Sequence, residues 1–157
     1  MKAKQQYRES TLFGVPLGAN SYAIGLIARR KPRSPIIFGY FFSPVGSGIP
    51  ERFDMSSLSA ETAILKCRFG DLGLLRGEWP VISQLLPWER SDWPMPKFYR
   101  EEPLSGRLYA VTYDDSNPAR TISDQAVDAL PPGAINDSLF GYKAVEITLR
   151  LILRNLH

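Results

Sequence analysis

Runs of alternating or continuously apolar residues fill the first two-thirds of the chain and predict a series of short β-strands. Residues 21–30 place Tyr22, Ile24 and Leu26 on one face at a period of two, which is typical of a strand. Residues 35–42 are apolar on both faces, as in a strand that is buried on both sides. Further strands are predicted at residues 11–17, 63–69, 79–83 and 107–113.

Two segments between these strands have the composition of loops. Residues 43–59 are rich in Pro, Gly and Ser, and residues 86–104 contain four prolines around Trp88 and Trp93. Because prolines remove donors from a sheet ladder, the second segment is predicted to be extended and irregular. The strand at 107–113 is followed by turn-forming residues at 114–118, and no clear strand is predicted after it.

The pattern changes to a helical period near the C-terminus. Between Ser138 and Asn155, polar residues recur every three or four positions and apolar residues cover the rest of the helix surface. Asn136, Asp137 and Ser138 offer N-caps at its start. The polar residues form one narrow stripe that is expected to face water: Lys143, Glu146, Arg150 and Arg154.

Strands followed by a packed helix indicate an α+β fold. We expect a small twisted antiparallel sheet or a partly open β-barrel, with the C-terminal helix packed against it. The length of 157 residues fits one domain spanning residues 1–157, with its core at roughly 11–155. Hydrophobic residues make up 44% of the chain and charged residues 22%, which is typical of a globular domain.

Charge and targeting signals narrow the class of protein further. The net charge of +3 is too small to indicate nucleic-acid binding by itself. The N-terminus has no apolar signal-peptide core, and no apolar run reaches the roughly 18 residues of a membrane helix. Cys67 is the only cysteine, which favours a reducing compartment. We therefore expect a cytoplasmic protein with no membrane association.

Few residues have the type and spacing that catalysis or metal binding requires. His157 is the only histidine, and as the terminal residue it is a poor general base. Cys67 lies on the apolar face of its predicted strand and is interpreted as a buried structural thiol. Neither a Cys-x-x-Cys pair nor a phosphate-binding glycine loop is present. We expect no catalytic residue, no metal and no cofactor.

The carboxylates each allow two interpretations. Asp114 and Asp115 are interpreted as turn residues, with cation binding as the alternative. Glu146 is interpreted as a member of a surface ion pair along the helix, with a charge presented to a partner as the alternative. A hydrolase or nuclease that uses Glu78, Asp114 or Glu146 is a weaker hypothesis, because no usable histidine or clustered carboxylate motif accompanies them.

Aromatic and basic clusters are the remaining candidates for binding. Trp79 begins a predicted strand, so core packing is its expected role. Trp88 and Trp93 either present their rings to a partner or pin their loop to the fold, and both interpretations stay open. The basic run from Arg29 to Arg33 is typical of a solvated hairpin tip. Its alternative is a phosphate-binding surface, as in a small-barrel nucleic-acid-binding protein.

Four blocks of the sequence follow one another in a recognisable order. They are residues 12–27, with Leu-Phe-Gly-Val-Pro-Leu and then Tyr-Ala-Ile-Gly-Leu-Ile; residues 68–82, with Gly-Glu-Trp-Pro-Val-Ile at their end; residues 96–98, Pro-Lys-Phe; and residues 142–149, which include Glu146. In this order the blocks resemble the immunity protein 26 family, with its opening hairpin, Gly-x-Trp strand, Pro-x-Phe motif and Glu-bearing terminal helix. The resemblance covers roughly residues 11–155.

The resemblance implies a protein of bacterial polymorphic toxin systems that binds and neutralises a cognate toxin domain, often a nuclease, without catalysis. Inhibitors of nucleases are often acidic, and this chain is mildly basic. That difference argues against a nuclease target, or else moves the contact to a local acidic patch such as Asp114 and Asp115 with Asp124 and Asp128. The predicted partner-binding residues are Trp88, Trp93, Glu78, Trp79, Asp114, Asp115 and Glu146.

Overall fold

A computed structural model describes residues 6–51 and 54–156 of the chain. The prediction of an α+β fold is confirmed: the described residues form two β-sheets, which do not close into a barrel, and a C-terminal helix. The strands are β1 Thr11–Gly18, β2 Ser21–Arg30, β3 Ile36–Phe42, β4 Leu65–Gly70, β5 Val81–Gln84, β6 Phe98–Glu101, β7 Leu108–Asp114, β8 Asn117–Val127 and β9 Leu139–Phe140. The α-helices are α1 Leu72–Leu75 and α2 Tyr142–Asn155. Short 3₁₀ turns lie at Met55–Ser57 and Arg90–Asp92.

The first sheet has six strands in the order β5-β1-β2-β3-β4-β9, and all neighbours are antiparallel except β4 and β9. Its first hairpin turns at Ala19 and Asn20, whose φ values are 51° and 56°. These left-handed values match the twist of the flanking strands, which favours a two-residue connection. The second sheet is the meander β6-β7-β8.

Alternation along the central strands gives the first sheet two apolar faces. In β3, Ile37 and Phe41 point to one face, and Phe38, Tyr40 and Phe42 point to the other. The prediction that this strand is buried on both sides is therefore confirmed. We call the side under α2 the helix face, because α2 packs there against β1 and β4.

The opposite side of the sheet is covered by β6, β7 and β8 and by the irregular connections between strands. We call it the loop face. Phe98 of β6 and Tyr113 of β7 pack there edge-to-face, with ring centroids 5.5 Å apart. Two separate apolar clusters result, one on each side of a single sheet.

Several elements differ from the sequence prediction. The helix begins at Tyr142 rather than Ser138, because residues 139–140 pair in parallel with Arg68 and Phe69 of β4. The N-cap is Gly141, not one of the predicted residues. Strand β6 lies in the segment predicted to be irregular, and β8 follows the strand predicted to be the last clear one. Both are formed by pairing with β7, a tertiary contact that the local pattern does not reveal.

Two glycines make room for the aromatic core of the helix face. The ring of Phe13 lies over Gly25, where an added Cβ would stand 2.2 Å from its Cζ. The indole of Trp79 lies in the same way over Gly73, with the nearest ring atom 2.7 Å from an added Cβ. Only a residue without a side chain fits at either position, since these rings are fully buried and have no space to move.

Candidate functional site

Two predicted site residues, Trp79 and Glu146, meet inside the helix face. The Trp79 indole stacks on Phe13 with centroids 5.6 Å apart, and its Nε1 donates a hydrogen bond of 2.9 Å to Oε2 of Glu146. Only 5% of Glu146 is exposed, and Lys143 Nζ stands 3.5 Å from its other oxygen. The expected ion pair along the helix is present, but the prediction that Glu146 lies on a hydrated stripe is wrong. The carboxylate turns inward because the buried indole N–H requires an acceptor.

Glu78 immediately precedes Trp79 in the sequence, but it differs from Trp79 and Glu146 in exposure. Its side chain is exposed, whereas Trp79 is fully buried. Both residues lie in the bend between α1 and β5, where the Trp79 N–H bonds to the Gly73 carbonyl, so the strand predicted to begin at Trp79 begins only at Val81. Of these neighbours, only Glu78 offers a surface that another molecule can contact.

Trp88 and Trp93 occupy different environments in the long connection between β5 and β6. Trp93 is 5% exposed and packs edge-to-face on Tyr40 and Phe42, with centroids 5.1 and 6.0 Å away. The Tyr40 hydroxyl also donates a hydrogen bond to the Pro94 carbonyl. Trp93 therefore pins the connection to the loop face. Trp88 is half-buried on the same cluster, and its indole N–H has no hydrogen-bond partner among the described residues.

The predicted turn is present between β7 and β8: Asp114 ends β7 opposite Asn117, and Asp115 begins the two-residue turn. Oδ1 of Asp114 accepts hydrogen bonds from the backbone N–H and hydroxyl of Ser116, which lower the pKa of Asp114. The carboxylate of Asp115 forms ion pairs with two arginines, Nε of Arg29 at 2.8 Å and Nη1 of Arg90 at 3.0 Å. Burial opposes ionisation of Asp115, but the hydrogen bond and charge of Arg29, followed by Arg90, outweigh it and lower its pKa.

The acidic patch expected near this turn is largely neutralised by arginines. Besides the two arginines on Asp115, Arg120 Nη1 lies 3.5 Å from Asp114, and Arg100 Nη2 lies 2.7 Å from Asp124. Each of these three carboxylates thus has a cation beside it. A partner that approaches this surface meets paired charges, which attract it much less than free carboxylates would.

The basic run of the second hairpin is also less exposed than its sequence suggests. Arg29 is 3% exposed and buried in its ion pair. Arg30 donates a 2.8 Å hydrogen bond to the Tyr7 carbonyl and stacks on the Tyr7 ring at 4.3 Å. Of the four cations in the described turn and its flank, only Lys31 and Arg33 are exposed. The surface proposed for nucleic-acid binding therefore has two free cations rather than four.

Sequence reasoning missed a cleft between two connections of the loop face. Residues of segments 55–61 and 85–94 line a half-open space of about 700 Å³. Leu85 and Trp93, both buried, form its floor, and Leu86 is 67% exposed. The carboxylates of Glu61 and Asp92 belong to the lining. The sequence does show two irregular loops, but not that they lie side by side.

The described part of the chain offers no cluster of potential metal ligands and no exposed thiol. No group of three or more His, Cys, Asp or Glu side chains there is arranged to hold a metal ion. Cys67 is 2% exposed, and burial raises the pKa of its thiol, in keeping with the predicted structural role. His157 lies outside the described residues. No described helix has the length and apolar character needed to span a membrane.

These features define a small α+β protein. One face of its first sheet is covered by a helix, and the other face carries a cleft lined by loops. A family model described as Immunity protein 26 matches residues 9–109, from the start of β1 into β7. The chain belongs to the immunity protein 26 family. The resemblance noted for the terminal helix lies beyond the matched residues. No curated protein and no solved structure matches the chain significantly.

Proposed function

We propose that this protein is the immunity protein of a bacterial polymorphic toxin system and neutralises its cognate toxin domain by binding it in the cytoplasm. The family match over residues 9–109 carries the proposal. Inhibition by binding is stoichiometric and needs a stable, shaped surface rather than reacting groups of its own. The toxin is the partner, and catalysis by this chain plays no part.

The proposed contact surface lies on the loop face, around the connection that carries Trp88 and Trp93. Trp88 is half-buried and reachable, while Trp93 holds the connection in place from behind. The exposed carboxylates of Glu78 and Asp115 are further candidate contacts, as is that of Asp114. Trp79 and Glu146 contribute from within the fold, because they fix α2 on the first sheet.

Co-expression with the toxin encoded by the neighbouring gene tests the proposal. We expect the chain to restore growth of cells that produce this toxin, and the two purified proteins to elute together as a complex of equal stoichiometry. A toxin from an unrelated system is the control and should be neither bound nor neutralised. Absence of both growth rescue and complex formation with the neighbouring toxin would refute the function.

A further inference from the structure

The cleft of the loop face is acidic in a chain that is basic overall. Its lining contains two carboxylates, Glu61 from the first segment and Asp92 from the second, and no cationic side chain, whereas the whole chain has a net charge of +3. Arg90 is the cation of the second segment, but it does not line the cleft. Its guanidinium forms ion pairs with Glu9 at 2.9 Å and with Asp115 at 3.0 Å. Among the described residues, no ion pair involves Glu61 or Asp92.

Apolar residues line the same cleft as these two acidic residues. Leu85 and Trp93 form the floor, and Met55 and Leu58 of the first segment also line the space. At the mouth, Leu86 is 67% exposed. An apolar floor under an anionic rim matches a side chain that has an aliphatic stem and a cationic end, which is the structure of lysine and arginine.

The charge of Glu61 also acts on Tyr40, a buried residue behind the cleft that contacts the lining residue Trp93. Burial raises the pKa of Tyr40, which contacts Trp93, to about 12; Arg29 opposes the shift and the carboxylate of Glu61 adds to it. Glu61 thus lies close enough to the buried side of the cleft to influence Tyr40. Charges interact more strongly next to a buried apolar surface than in open water, so a cation entering here gains more than at an exposed carboxylate.

We propose that this cleft binds an arginine or lysine side chain, flanked by an apolar residue, on a loop of the toxin domain. The stem of the basic side chain lies over Leu85 and Trp93, and its charge faces Glu61 and Asp92. The flanking apolar residue packs on Leu86. This inference rests on the proposed function and specifies which segment of the partner is recognised.

The test measures the affinity of the purified toxin domain encoded by the neighbouring gene by isothermal titration. The charge reversal Glu61→Lys/Asp92→Lys should weaken binding by about 100-fold, because it places two cations against the basic segment. Truncation in Leu86→Ala should weaken it by about tenfold, since one exposed apolar contact is lost. Both variants alter exposed side chains, and thermal unfolding should show that they fold like the wild type.

Two matched controls change the same residue types away from the cleft. Glu101→Lys/Glu102→Lys reverses two carboxylates at the end of β6, and Leu104→Ala truncates a leucine that is 98% exposed in the next connection. Both should bind the toxin domain within about threefold of the wild type, as expected for surface changes outside a contact. Equal weakening by controls and cleft variants would show a general charge effect and overturn the inference.

The remaining outcomes distinguish failure of the cleft assignment from failure of the proposed immunity function. If the wild type binds the toxin and both cleft variants bind equally well, the cleft assignment is wrong and the immunity function stands. If the wild type neither binds nor protects, both proposals fall. If the wild type instead self-associates and Glu61→Lys/Asp92→Lys abolishes this, the occupant is a second copy, whose exposed Lys31 and Arg33 are its cations.

A photoreactive benzoylphenylalanine in place of Leu86 identifies the occupant independently of affinity. The cross-linked toxin peptide should contain an arginine or lysine next to an apolar residue. Replacing that basic residue by glutamate should restore binding to Glu61→Lys/Asp92→Lys by at least about tenfold, since the charges are then exchanged across the interface. A cross-linked peptide without a basic residue would contradict the proposed chemistry.

Discussion

The two faces of the first sheet are closed by different kinds of structure. On the helix face, α2 seals a cluster of aromatic rings, and the buried indole and carboxylate of Trp79 and Glu146 satisfy each other. On the loop face, the second sheet covers part of the cluster and irregular connections cover the rest. The connections leave a cleft of about 700 Å³ between them, with Leu86 exposed at its edge.

This difference follows from how each covering is attached. A helix contributes a continuous row of side chains, and that of α2 packs on β1 and β4 along its length. The connection across the loop face is held at separate points, where Trp93 packs on Tyr40 and where Arg29 Nη2 lies 3.4 Å from the Arg90 carbonyl. Between such points the chain does not follow the sheet surface. Under the proposed function, the helix face provides stability and the loop face provides recognition.

The largest expected effect concerns the helix face. Trp79→Ala should lower the free energy of unfolding by about 4 kcal/mol, because it empties a core position and leaves the Glu146 carboxylate buried without its donor. Trp79→Phe keeps a stacked ring and loses the indole donor, so we expect about 2 kcal/mol. Urea denaturation followed by circular dichroism measures both. Equal losses would mean that the hydrogen bond, and not the packing, dominates.

Replacing the two tryptophans of the loop face by alanine should lower the free energy of unfolding by different amounts. Trp93→Ala removes a buried ring that contacts Tyr40 and Phe42, and should lower the free energy of unfolding by about 3 kcal/mol. Trp88→Ala should lower it by only about 1 kcal/mol, because its ring is only partly buried on the edge of the same cluster. The same denaturation experiment tests the pair. If Trp88→Ala is the more destabilising change, Trp88 is the structural anchor and our assignment is reversed.

The ion pairs of Asp115 should make stability depend on pH in the acid range. Its folded pKa is lowered, so this carboxylate stabilises the fold above its unfolded pKa, and that contribution is lost as the pH falls through the folded pKa. The free energy of unfolding, measured in urea at pH ~7 and pH ~3, should therefore fall less in Asp115→Asn than in the wild type. Asp128→Asn is the control, since no ion pair of Asp128 is present among the described residues, and the acid-induced loss of its stability should equal that of the wild type. An unchanged pH profile in Asp115→Asn would exclude this contribution.

The smallest effect is expected on the outer surface of α2. Ile147 and Leu151 are about half exposed there, while Val145 and Leu149 of the same helix are buried. Ile147→Gln and Leu151→Gln should each change the free energy of unfolding by less than about 0.5 kcal/mol. Growth rescue from the toxin should also be unchanged. Loss of rescue with normal stability would show that the outer surface of α2 takes part in recognition. Recognition would then not be confined to the loop face.

The central strands were predictable because their pattern and their burial agree. Apolar residues alternate or run continuously through β1 to β4, and turn residues such as Asn20 separate them. Strand β8 gave no such signal, since most of its side chains are exposed and its pairing with β7 alone defines it. The start of α2 was misplaced for the same reason, because pairing with β4 holds residues 139–140 extended.

The candidate site was less predictable than the fold. Glu146 recurs with the polar residues of α2, and apolar residues occupy both sides of that helix, so periodicity could not show which side is buried. Arg29 looked like part of a solvated run, yet Asp115 binds it from a turn 86 positions away in the chain. The cleft requires Glu61 and Asp92 to come together from separate connections. Such arrangements depend on tertiary structure that a single sequence does not display.

The attachment of the connection across the loop face has a consequence for sequence variation. The Tyr40 hydroxyl bonds to the carbonyl of Pro94, so this acceptor belongs to the backbone. This hydrogen bond does not involve the side chains at Leu86 or Asp92. Rim residues can therefore change while the frame that holds them persists. Under the proposed function, we expect such a frame to allow a change of partner through a few substitutions at the rim, without redesign of the interior.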